Sequence, residues 1–173
     1  MWTKSKLDKK ITTRWNNLGR LGEELAELNL RKAGFVVVRN LNQDKRNNCF
    51  ADIYAVKEGQ PYVISVKARN KYENNGSLNA RYKLGKNCYP HAGLAETQHN
   101  AKAAWITIAV DVNAKRYDAY FGLLSDLNEN TGVSMTPEIT KKYQCLASGA
   151  DLLRDSGLTE QECLNLKNIY QKK

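Results

Sequence analysis

Two short apolar segments, Phe50-Ala-Asp52-Ile-Tyr-Ala-Val56 and Tyr62-Val-Ile-Ser65-Val-Lys67-Ala68, constrain the fold of this chain more than any other feature. The turn between them, Glu58-Gly59-Gln60-Pro61, contains both Gly and Pro, so the pair reads as a β-hairpin. Side chains alternate along a strand, which puts Val63, Ser65 and Lys67 on one face and Ile64, Val66 and Ala68 on the other. Asp52 and Lys67 then sit at matching depth on paired apolar strands. Burying a carboxylate or an ammonium is costly unless each has a partner. A solvated cross-strand ion pair would contribute only about 0–1 kcal/mol, and the surrounding strands are too apolar for a solvated face. A metal-assisted phosphodiester site gives both groups a task. The carboxylate binds a divalent cation, while the lysine orients or activates water or stabilises charge developing on phosphate.

The rest of the chain alternates helix and strand. Leu18, Leu21, Leu25 and Leu28 recur at helical spacing, predicting a helix over Thr13 to Ala33 that Gly34 caps. Phe35 to Arg39 reads as a buried strand, and the polar stretch Asn40 to Asn48 as a loop. Residues 69–91, rich in Asn, Gly, Lys and Arg, read as a long exposed loop, a kind of segment that is often functional. A helix over Ala92 to Ala103 and strands over Ala104 to Val110 and Tyr117 to Leu123 follow. The C-terminal third reads as mostly helical, with a capping box at Thr159 and Glu162. The expected architecture is one α/β domain with a central mixed sheet of about five strands flanked by helices. It divides into a basic N-terminal arm (1–13), a core (14–123) and a helical C-terminal extension (124–173).

Composition narrows the setting. The longest apolar run, Ala103 to Val110, is strand-length and interrupted by Thr107, so no membrane span is expected. No apolar segment follows the N-terminal lysines, so no secretion signal is expected either. The four cysteines lack framework spacing and read as free thiols of a reducing, cytoplasmic setting. Cys88 and His91 are spaced like half a zinc site that Cys49 or His99 would complete, but such sites usually show paired, repeated spacing, so ordinary loop residues are favoured. His91 and His99 lack the partners that would support an acid–base role. Net charge is +9, and its placement matters more than its size. Residues 1–20 hold six basic side chains against one acidic, and residues 65–92 repeat that ratio. Basic charge clustered beside the Asp52–Lys67 pair is the footprint of a nucleic-acid binder. Arg69, Lys71, Arg81, Lys83 and Lys86, interleaved with Tyr72, Tyr82 and Tyr89, would supply phosphate contacts and stacking rings. Trp2 in the arm would stack on a base or pack on the body, and Trp105 reads as core.

The ordered set Gly22-Glu23-Glu24-Leu25-Ala26, Leu30, Gly34-Phe35-Val36-Val37, Asp52 and Ser65-Val66-Lys67 resembles the PD-(D/E)XK nuclease superfamily. Within that superfamily it is most similar to archaeal Holliday junction resolvases and related small endonucleases, over about residues 15–110. The resemblance implies a restriction-endonuclease-like fold and a Mg²⁺- or Mn²⁺-dependent site. It implies that Glu23 supports that site, that Asp52 and the Val66 carbonyl ligate the metal, and that Lys67 is the catalytic lysine. Dimerisation, which would let two strands be cut, is a further implication. One position departs from the pattern: the acid usually found two residues before the lysine is Ser65, and a hydroxyl poorly replaces a carboxylate on Mg²⁺. Either a glutamate has migrated to the next helix, with Glu96 the candidate and Gln98 a weaker second, or the metal site is lost. The expected function is a divalent-metal-dependent endonuclease acting on DNA, RNA being left open. The alternative is a catalytically impaired nucleic-acid-binding module of the same fold.

Overall fold

The computed structural model describes the backbone of residues 4–44 and 49–167, and the side chains of 18–42 and 49–166. Trp2 and the basic side chains of the expected arm lie outside the described residues. Helix α1 spans Lys4–Lys32, so the backbone of the expected arm is helical from Lys4 onward. Leu18, Leu21, Leu25, Ala26 and Leu30 form its buried stripe, with Leu28 half-buried beside them. The helix ends as expected at Gly34, whose φ of 92° lets the Phe35 N–H return 3.0 Å to the Leu30 carbonyl.

Strands β1 (Val36–Asn40), β2 (Ile53–Lys57), β3 (Gln60–Asn70), β5 (Lys102–Asp111), β6 (Arg116–Leu123) and β8 (Gln144–Asp151) form one six-stranded sheet in the order β1-β2-β3-β5-β6-β8. Helix α2 (Cys88–His99) lies between β3 and the parallel β5 in the chain. The β2–β3 hairpin turns on Glu58 and Gly59, both with positive φ, the conformation that two-residue hairpin loops favour. Pro61 therefore belongs to β3. It falls one residue before β5 begins to pair at Tyr62↔Lys102, where its missing N–H removes no ladder bond.

The alternation in β3 sorts its neighbours into two cores. Ile64, Val66 and Ala68 pack with α1, Ile53, Ile106 and Ile108, each fully buried Ile or Leu contributing roughly 1.5–3 kcal/mol. Val63, on the opposite face, packs with Trp105, Ala109 and the Cys88 and Ala92 side of α2. Behind α1, the buried Asn29 donates 2.8 Å to the Tyr117 hydroxyl, which donates 2.7 Å to Asp155. Burial and the Asp155 charge push the Tyr117 hydroxyl up to about 12, so it remains a donor.

Two stretches differ from expectation. Residues 69–91 are not one long loop. The segment beyond β3 is closed by a Tyr72↔Leu78 bridge, and β4 (Arg81–Lys83) pairs with β7 (Gly132–Ser134) in a separate two-stranded ribbon. A single apolar residue between two cations, with its partner about 50 residues away, leaves no local signature of that pairing. The C-terminal third is likewise not mostly helical. It supplies β7 and β8 beside the short helices α3 (Pro137–Thr140), α4 (Leu152–Ser156) and α5 (Glu160–Lys167). The capping box is present: Thr159 Oγ1 accepts from Glu162 N–H, and Glu162 accepts from Thr159. Cys49 and Cys145 are exposed and Cys88 and Cys163 buried, with no disulfide among them. Among the described residues no helix is long and apolar enough to cross a membrane.

Gly22 fixes how closely α1 lies on β3, because a Cβ there would stand 2.5 Å from the Cβ of Ala68. Gly22→Ala is therefore expected to destabilise the fold by about 1–3 kcal/mol in urea unfolding, the usual scale of overpacking. Wild-type stability in that variant would mean the helix can rise off the sheet freely.

Candidate active site

The site forms where β2 parts from β3. Regular pairing ends at Ile53↔Ile64, and Asp52 instead turns its N–H 2.9 Å to the Ile64 carbonyl. Its carboxylate then takes the next free strand donor: Oδ2 accepts the Val66 N–H at 2.7 Å. The N–H and C=O of one strand residue face the same neighbour, so the Val66 carbonyl opens on the same gap. Glu23 reaches this gap from α1, one residue after the close contact at Gly22.

The 3-10 turn Leu41–Asp44 that follows β1 closes the gap from the third side. The Leu41 N–H donates 2.8 Å to the Asp52 carbonyl, and the Asn42 N–H donates 2.8 Å to Asn40 Oδ1. Asn40 Nδ2 donates 3.2 Å to Glu23 Oε2. Asn42 Nδ2 donates to Glu23 Oε1 and, at 3.0 Å, to Asp52 Oδ1. One amide thus bridges two carboxylates drawn from different elements.

Both carboxyls are raised above their ordinary values. For Asp52 the main cause is burial, opposed by the hydrogen bonds from Asn42 and Val66 and by the Lys67 charge. For Glu23 it is again burial, opposed by Asn40 and Asn42 and reinforced by the charges of Asp52 and Glu27. Lys67 stands half-buried on the face of β3 that carries the buried Ser65. Two half-buried carboxylates beside a strand carbonyl offer oxygen donors of the kind that hard cations such as Mg²⁺ and Mn²⁺ take.

The structure thus brings Glu23, Asp52, Val66 and Lys67 together, with Ser65 beside Lys67. It does not bring Glu96 to them. Glu96 lies in the last turn of α2, where its Oε2 accepts the Ala103 N–H at 3.2 Å and latches the helix to the start of β5. Gln98 is exposed near the same helix end. Among the described residues no three His, Cys, Asp or Glu side chains group as metal ligands, around Cys88 and His91 or elsewhere. Asn40 and Asn42, which the sequence reading left in a loop, are the site's main hydrogen-bond donors. Their only signal was an Asn-x-Asn pair directly after a strand, and such residues are commonplace in turns.

The basic residues divide. Arg81, Lys83 and Lys86 are exposed, whereas Lys71 is committed to Asp118 at 3.0 Å and Arg69 donates to the Ala68 carbonyl at 2.7 Å. Arg69, Tyr72, Asn79, Arg81, Lys83 and Asp111 line a cleft of about 880 Å³ at the end of β3 beyond Lys67. Of the tyrosines expected to stack, Tyr72 is 45% exposed on this cleft. Tyr82 is core, and the Tyr89 hydroxyl is tied to the Asn130 carbonyl at 2.7 Å.

No family model matches the sequence, and no curated protein matches it. The structure is similar to that of Hjc, a Holliday junction resolvase from the archaeal hyperthermophile Archaeoglobus fulgidus, with a TM-score of 0.50 and 15% sequence identity. The match covers 78% of this chain and 95% of that one. At that identity the likeness establishes the fold, which is the restriction-endonuclease-like fold that the Glu23, Asp52 and Lys67 pattern implied.

The raised carboxyls set the sign of a pH effect. As pH rises from the ordinary carboxylate range towards the raised values, the unfolded chain releases these protons before the folded one, so the metal-free fold loses stability. Asp52→Asn should therefore melt above wild type at pH 7 in EDTA, with the gap closing in acid. Asp155, lowered mainly by its bond to Arg154, behaves oppositely: its stabilisation is present at neutral pH and lost as pH falls through its lowered value. Asp155→Asn should accordingly melt below wild type at pH 7. Thermal melts across pH check both signs, and the reverse order at pH 7 would contradict the assigned shifts.

Proposed function

We propose that this chain is a divalent-metal-dependent endonuclease acting on DNA. The observation that carries the reading is the meeting of Glu23 and Asp52 at one amide, with Lys67 and the Val66 carbonyl beside them. Glu23, Asp52 and the Val66 carbonyl would hold Mg²⁺ or Mn²⁺, which supplies Lewis-acid stabilisation of charge on phosphate and a more acidic bound water. Lys67, whose charge acts on Asp52, would position the attacking water and offset negative charge as the phosphodiester is attacked. The exposed Arg81, Lys83 and Lys86, with Arg69 and Tyr72 along the cleft, would guide backbone and stack on a base. A second copy would let both strands of a duplex or junction be cut, and a cytoplasmic setting would accord with cysteines that form no disulfide.

The second reading is a binding module of the same fold that does not cut. What favours it is specific: Ser65 is neutral, and Glu96 is held at β5. Incubating purified protein with plasmid, branched junctions and RNA, with Mg²⁺, with Mn²⁺ and with EDTA, separates the two. The nuclease reading expects metal-dependent cutting of DNA that Asp52→Asn abolishes. It also expects Lys67→Met to slow cutting by about 10²–10³-fold, the scale for losing one preorganised donor to developing charge. Retarded migration without cutting favours the module, and undiminished cutting by Asp52→Asn refutes the site. Arg81→Ala and Lys83→Ala should each weaken binding across sequences and lower the salt slope by about 1, measured by fluorescence anisotropy at several salt concentrations.

A further inference from the structure

We infer that Asn42 is a ligand of the divalent cation, its side-chain carbonyl oxygen taking the place of the acid missing at Ser65. The inference rests on the metal-dependent reading above and assigns a residue which that reading leaves as a hydrogen-bond donor.

Three observations carry it. The first is position. Asn42 Nδ2 lies at the point where the two carboxylates converge, in reach of Glu23 Oε1 and 3.0 Å from Asp52 Oδ1. The other Asp52 oxygen is already taken by the Val66 N–H, so Oδ1 is the one left to face a cation. The second is spacing. In an octahedral site with metal–oxygen distances of about 2.1 Å, neighbouring ligand atoms stand about 3.0 Å apart. A half-turn of the terminal Asn42 torsion exchanges Nδ2 for Oδ1 and leaves an oxygen at that separation from Asp52 Oδ1. The backbone need not move, because the turn is pinned through the Leu41 and Asn42 N–H groups. The third is elimination. Glu96 is latched to Ala103 and is not free to supply the missing carboxylate, and Ser65 offers only a neutral hydroxyl, a weak ligand for a hard cation.

The amide suits both states of the site. Without a cation, two desolvated carboxylates can share only a donor, and the NH₂ group faces them. With a cation between them, the same planar group presents its oxygen, which accepts no proton and adds no charge. An aspartate at this position would set a third negative charge against the pair in the metal-free protein.

A merely structural role predicts the opposite sign for one variant. If Asn42 were only a spacer between the carboxylates, a cation would have to displace it, and its removal would tighten metal binding. The experiment is a Mn²⁺ titration of the full chain, with free Mn²⁺ read by electron paramagnetic resonance, on wild type, Asn42→Ala, Asn42→Asp and Asp52→Asn, each checked by circular dichroism melting. The expected result is wild-type binding that Asp52→Asn abolishes, a loss of about tenfold or more in Asn42→Ala, and binding at least as tight as wild type in Asn42→Asp. Equal or tighter binding in Asn42→Ala overturns the ligand role alone. Should Asn42→Ala melt below the assay temperature, Asn42→Asp decides, and weaker Mn²⁺ binding than wild type overturns the inference. Absence of Asp52-dependent binding in wild type overturns both the inference and the metal-dependent reading beneath it.

Discussion

Where β2 leaves β3, a strand N–H loses its backbone partner inside an apolar sheet, and the chain satisfies it with a carboxylate. That single bond, from Val66 to Asp52, organises what surrounds it. A buried N–H without an acceptor costs on the order of 1–3 kcal/mol, and a buried carboxylate without donors costs more, so each secures the other. The second Asp52 oxygen remains, pointing into the gap that the departing strand has opened. Everything else at the site is arranged around that oxygen: the Asn42 amide, Glu23 across from it, and Lys67 on the neighbouring sheet face.

The gap is held open from two directions. On one side α1 lies unusually close to β3 because residue 22 has no side chain, which carries Glu23 inward to the strand break. On the other, the 3-10 turn after β1 is tied to the Asp52 carbonyl and to Asn40. Far from the site, the Asn29–Tyr117–Asp155 chain fixes α1 to β6 and α4, so the helix cannot rotate without breaking buried hydrogen bonds. Burial raises both carboxyls above their ordinary values, a condition that a cation bound between them would relieve.

Much of this was legible from local pattern. The hairpin was visible through its Gly-containing turn and its alternation, and α1 through leucines at helical spacing and a terminal glycine. Asp52 and Lys67 stood out because charged groups in apolar strands require a reason, and Glu23 only through its place in the pattern that resembles the nuclease superfamily. The β4–β7 ribbon and strand β8 were not visible, since segments with a single large apolar residue (Tyr82, Val133 and Leu146) become strands only when a distant partner supplies the other half of the ladder. The basic stretch was legible as charge but not as geometry: Lys71 is consumed by Asp118, and Tyr82 by the core.

By itself the sequence determined the chemical inventory and the local elements, because hydrophobic period, turn residues and charge are properties of neighbouring positions. It named the aspartate, the lysine and the helix glutamate, and it showed that the position two before the lysine lacks a carboxylate. Where the candidate groups lie relative to that position was decided only by the tertiary structure. Glu96, nearest by sequence logic, is drawn to the backbone at the start of β5, while Asn42, inconspicuous in a polar loop, is brought between two carboxylates by the packing of three separate elements. Proximity between residues about 10 to 20 positions apart is a property of the closed sheet and the helix lying on it, and no local pattern encodes it.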